Sequence, residues 1–150
     1  MSTTAELVLE GLERLIEAVA VVGPPFKCVF RGDDEAGAAQ RDAIRVTSVV
    51  PISDKRVDKR SGGSIYRLLT AAIGSQYHRN RLTRRVMLAD GLLLEDVFRH
   101  CVAGLAALTV PVTIHTARLI DGPRYDMATS LNATKAMTAF VLEIEYRTET

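Results

Sequence analysis

The sequence predicts an α+β fold: a mostly antiparallel sheet with two helices packed on one face, plus an extended basic loop or hairpin arm. Three observations predict it. Apolar residues recur at helical spacing near the N-terminus and again between residues 90 and 108. The C-terminal stretch alternates apolar and polar residues with a period of two. Between them, cations crowd into residues 53–85, the predicted arm of what is otherwise a single domain over residues 1–150.

The first helix follows from Thr3-Thr4-Ala5-Glu6, which has the spacing of a capping box. Val8, Leu12, Leu15, Ile16 and Val19 then mark one face. Glu6, Glu10, Glu13 and Glu17 fall on this helix, the early ones where the macrodipole favours them. Gly23-Pro24-Pro25 ends it, because proline lacks an amide donor and disfavours helix in the residue before it.

Phe26–Phe30 reads as a short strand, followed by a polar loop. Ala43–Ile52 is β-branched and alternating, hence a strand, with Pro51 at its edge or its end. Asp54–Gly63 reads as an exposed loop or hairpin tip. Residues 64–77 fit helix and strand almost equally; the strand is favoured, with a bulge or kink near Gly74. Residues 78–88 are a polar stretch ending in a short apolar run.

Asp90 is the expected N-cap of a second helix reaching Leu108, with Leu94, Val97, Phe98, Cys101, Leu105 and Leu108 as its stripe. Glu95 and Asp96 would lie in its first turn, and Glu95 and Arg99 have i,i+4 spacing. A strand over 112–120 should then turn at Asp121-Gly122-Pro123-Arg124. In the closing strand Phe140, Leu142, Ile144 and Tyr146 face one way, and Val141, Glu143, Glu145 and Arg147 the other.

Composition narrows the functional classes. A chain of 150 residues, 47% hydrophobic and 25% charged, can bury a core without covalent staples. Cys28 and Cys101 are expected as free, buried thiols in a reducing compartment. No leader and no stretch near the roughly 20 apolar residues of a membrane span is evident, so a soluble protein with no membrane partner is expected. His78, His100 and His115 lack chelating spacing. The Gly62-Gly63 and Gly74-Ser75 pairs lack the frame of a phosphate loop or a nucleophile elbow. Glu143 and Glu145 share a wet face, with nothing nearby to raise a pKa. No enzyme, catalytic residue, cofactor or metal is expected.

Charge is the remaining signal. Residues 54–85 hold nine Lys and Arg against two acids, a local +7, whereas the rest of the chain carries −6. Such a basic span is a solvated surface, an arm that grasps another subunit, or a nucleic-acid grip with Tyr66 and Tyr77 as stacking groups. The overall pI of about 7.8 and the acids elsewhere weigh against the last.

The C-terminal third resembles the closing hairpin of bacteriophage tail terminator proteins. The residues that carry the likeness are Arg118, Asp121, Arg124, Asp126, Phe140, Leu142, Ile144, Tyr146 and Arg147. The N-terminal helix, the strand before Pro51 and the helix from Asp90 to Leu108 fall in the order of that family. The resemblance implies structural work: a homo-oligomeric ring, as a hexamer, that caps the tail tube and presents a face to a head-side connector or stopper protein. DNA would pass through its channel without sequence readout. The location implied is the virion neck, after synthesis in the host cytoplasm. Another connector or stopper component, or a small nucleic-acid-binding module, is the alternative. A polarised chain suits ring closure, with the basic span meeting acids of the next copy. The candidate contact residues are Lys55, Arg56, Lys59, Arg60, Ile65, Tyr66, Arg67, Leu68, Leu69, Arg79 and Arg81, with Glu10, Glu13 and Glu17, or Glu143 and Glu145, as the acids.

Overall fold

The computed structural model describes residues 3–21, 26–28, 45–57, 65–78, 83–109, 112–127 and 135–148. Its elements are α1 (Thr4–Glu17), β1 (Lys27–Cys28), β2 (Arg45–Val57), β3 (Ile65–His78), α2 (Thr83–Arg99), α3 (Val102–Leu108), β4 (Thr113–Met127) and β5 (Lys135–Thr148). The strands form one sheet in the order β1-β2-β3-β5-β4. The four long strands are antiparallel throughout; the two-residue β1 runs parallel to β2, opposite Val46 and Thr47. This is the α+β layout the sequence predicts, with three helices among the described residues where two were expected.

Alternation decides which face of the sheet is covered. On β3 Leu69, Ala71, Ile73, Ser75 and Tyr77 are buried, and on β5 Ala136, Thr138, Phe140, Leu142, Ile144 and Tyr146 are buried. Register sets Leu69 opposite Ile144, Ala71 opposite Leu142 and Ile73 opposite Phe140, so these side chains make a continuous apolar floor. Val8, Leu12 and Ile16 of α1, Leu94 and Phe98 of α2, Cys101, and Leu105 of α3 close over it. Phe98 meets Phe140 edge-on, with ring centroids 5.0 Å apart.

α1 begins as expected: Thr3 caps it, its hydroxyl accepting from the Glu6 amide at 3.2 Å. The second helix departs from expectation at both ends. It starts at Thr83, so Asp90 is not an N-cap but a buried mid-helix residue, and Glu95 and Asp96 are not in its first turn. The inward stripe is Met87, Asp90, Gly91, Leu94 and Phe98, and a charge and a glycine within that stripe hide its periodicity. The expected run to Leu108 is interrupted at His100–Cys101, where the His100 amide bonds back to Val97 at 3.2 Å and α3 starts afresh. The Glu95–Arg99 pair forms, at 3.1 Å.

Residues 65–78 are a strand, without the kink expected at Gly74, which pairs without interruption with Ser48 and Ala139. The irregularity lies on the neighbouring strand, between Pro51 and Ser53. β2 continues through Pro51 to Val57, so Asp54–Val57 are ladder residues and not a loop. Proline fits there because, among the described residues, β1 covers only Val46 and Thr47, leaving Pro51 on an edge. The expected turn at Asp121–Arg124 is instead a bulged stretch inside β4, with a cis Gly122–Pro123 bond. Gly122 has φ 109°, and a Cβ there would lie 2.6 Å from the Ala139 carbonyl oxygen, so glycine is required. The strand expected over Phe26–Phe30 is seen at Lys27–Cys28; Val29 and Phe30, with Gly62 and Gly63, lie outside the described residues.

Candidate subunit interface

At the end of the sheet where β2 and β3 approach their connection, the helix-facing positions stop being apolar. Leu69 is opposite Asp54, and the next helix-facing pair is Arg56 opposite Arg67. Two like charges directly across a ladder repel unless something neutralises them. Asp54 holds Arg67: Arg67 Nε donates to Asp54 Oδ2 at 3.1 Å and Arg67 Nη2 to the Asp54 carbonyl at 2.8 Å. The Tyr146 hydroxyl donates to both Asp54 carboxylate oxygens, at 2.9 and 3.0 Å. Burial, then this hydrogen bond, pushes Tyr146 up to about 12, so it remains a donor at neutral pH. A cavity of about 360 Å³ opens here, lined by Thr3, Thr4, Ala5, Asp54, Arg56, Ile65, Arg67 and Tyr146.

The candidate contact residues divide between two faces. Lys55 and Arg56 are exposed; Ile65, Tyr66, Arg67 and Leu68 are half-buried, and Leu69 is part of the core. Lys55, Leu68 and Glu145 form one cross-strand row on the face away from the helices. Tyr66 stands edge-on to His115 at 5.7 Å. Glu143 accepts from Arg118 Nη2 at 3.1 Å, so it is already neutralised within its own chain. Lys59, Arg60, Arg79 and Arg81 lie outside the described residues. Arg84 and Arg85, exposed in the first turn of α2, follow the opposite end of β3. At about 3.3 Å per residue, a 14-residue strand holds its two ends roughly 45 Å apart. Among the described residues, Lys55 and Arg56 are thus far from Arg84 and Arg85.

Beside the first cavity runs a groove of about 310 Å³ between α1 and β2. Leu9, Val49, Pro51 and Leu69 give it an apolar floor, and Glu6, Glu10 and Glu13 line its helix side. These acids are spaced four and three residues apart, so they stand on one helix face and repel one another. Burial, followed by repulsion from Glu17 and Glu10, raises Glu13 above its ordinary value of 4.5. An acid raised on folding costs stability when ionised; the cost is absent below about pH 4.5 and is fully present above the raised value. Glu17 is engaged otherwise, accepting from the Cys28 amide at 3.1 Å. The acids of α1 were legible in sequence; the groove was not, because its floor is assembled from β2 and β3.

Elsewhere the described residues show little reactive chemistry. They contain no group of three or more His, Cys, Asp or Glu placed to hold a metal. Cys28 is pushed up to about 12 by burial and then by Glu17 and Glu13, and burial raises Cys101, so both thiols stay protonated. Among the described residues no helix is long and apolar enough to cross a membrane. No family model and no curated protein matches this chain.

Proposed function

We propose that this chain is a structural component of a bacteriophage neck, a tail terminator that closes into a ring over the end of the tail tube and joins it to the head-side connector. The observation that carries this reading is the charged end of the β2–β3 hairpin, with exposed Lys55 and Arg56, beside a groove rimmed by Glu6, Glu10 and Glu13. A surface that carries both halves of a complementary contact suits repeated association of identical copies, which closes into a ring when the rotation allows. The order helix, hairpin, helices, hairpin and the buried face of the closing strand also agree with the resemblance. In this role the protein has no catalytic residue and no cofactor. Its partners are further copies of itself, the tail tube protein, the connector or stopper, and the DNA passing through. Its place is the neck of the virion, after synthesis in the host cytoplasm.

The test is an assembly reaction. Purified chain added to polymerising tail tube protein is expected to arrest growth, giving shorter tubes that carry a ring at one end in electron micrographs. Tube lengths unchanged at equimolar chain would contradict the reading.

A further inference from the structure

We propose that the groove between α1 and β2 is the acceptor for the charged hairpin end of a second copy of this chain, Glu6, Glu10 and Glu13 receiving Lys55 and Arg56 while apolar side chains seat on Leu9, Val49, Pro51 and Leu69. This rests on the reading that the chain assembles with itself, and it names where the copies meet.

Charge favours this occupant. The three carboxylates stand on one side of α1, where Glu10 and Glu17 crowd Glu13 with like charge. The cost is visible at Glu13, whose ionised form is disfavoured in the single chain. A cationic partner would relieve it. The other acids considered for this role, Glu143 and Glu145, are less suited, since Glu143 is held by Arg118. The sequence itself supplies the complementary partner, a segment at +7 against a remainder at −6.

Geometry excludes a self-contained version for Lys55. Lys55 lies opposite Leu68, on the face away from the helices, whereas the groove opens on the helix side of β2. Its own α1 is therefore on the wrong side of the sheet, and only another copy can bring that ammonium to these carboxylates. The contact is also not strand addition. Pro51 has no amide to donate, and the register shifts between Pro51 and Ser53, two features that blunt an edge against another strand. Side chains entering an apolar groove with an acidic rim are what the surface accommodates.

Light scattering on purified variants tests this. Glu10→Lys with Glu13→Lys, and separately Lys55→Glu with Arg56→Glu, are each expected to reduce the assembled mass to the 16.4 kDa of one chain. The melting temperature should not fall in either. Combining all four substitutions should restore assembly, because the charges are exchanged across the contact. Glu10→Gln with Glu13→Gln, which preserves shape, should raise the half-assembly concentration at least about tenfold. If the wild type assembles and the Glu10/Glu13 variants keep its full mass, the groove is not the contact, although the chain still self-associates. If the wild type itself is 16.4 kDa at every concentration, the self-assembly reading fails and the groove proposal with it. A wild-type dimer broken by these variants would retain the groove and overturn the ring.

Discussion

Replacing Asp90 by alanine is expected to lower the stability of the folded chain by about 3–5 kcal/mol. Asp90 and Arg45 have side chains only 4% and 5% exposed, and Arg45 Nε donates to Asp90 Oδ2 at 2.6 Å. The Tyr77 hydroxyl donates to the same oxygen at 2.8 Å. Burial and then the Asp90 charge raise Tyr77, so it too remains a donor. Removing the carboxylate takes an anion from a buried guanidinium and an acceptor from a buried hydroxyl at once, and the stacking of Arg45 over Phe26 at 5.4 Å cannot replace an anion. Against a typical total of about 5–15 kcal/mol, such a loss is severe. Urea unfolding should show a much lower midpoint with an unchanged slope. The paired change Arg45→Met with Asp90→Leu should cost far less than Asp90→Ala, since an apolar pair avoids both desolvation penalties. Equal losses for the two variants would mean that position 90 acts through packing alone.

Phe140→Ala is the second large effect, again about 3–5 kcal/mol. Phe140 is 1% exposed, central on β5, opposite Ile73 and edge-on to Phe98. Truncation removes its burial and leaves a cavity that the surrounding ladder and α2 cannot collapse to fill. The neighbouring Val141→Ala, half-buried on the face away from the described helices, should cost about 1 kcal/mol or less by the same measurement. A comparable loss at both positions would show that the outer face is also tightly packed.

The contrast between these two sites explains what could be read from the chain. Leu142 to Arg147 alternate without exception, so their faces were evident from sequence alone. The α2 stripe was only half legible, because Asp90 and Gly91 occupy core positions that a search for apolar residues rejects. Asp90 is tolerated there only because Arg45 and Tyr77, distant in sequence, meet it. Gly122-Pro123 resembled a strand ending, yet it lies inside β4, an edge strand where a bulge costs little; of the two readings of Pro51, edge or end, the described residues bear out the edge. Contiguous basic residues suggested one arm, most of which lies outside the described residues; the described cations Lys55 and Arg56 stand at one end of β3 and Arg84 and Arg85 follow the other. The acids of α1 could be seen without their groove, since spacing along one helix says nothing of which strand lies beneath it.

Self-association is tested most directly by the mass of the wild-type chain in solution, measured by light scattering over a hundredfold dilution. A closed hexameric ring of 16.4 kDa subunits predicts about 98 kDa, steady until a concentration at which it falls cooperatively to the single chain. A mass of 16.4 kDa at every concentration would contradict it.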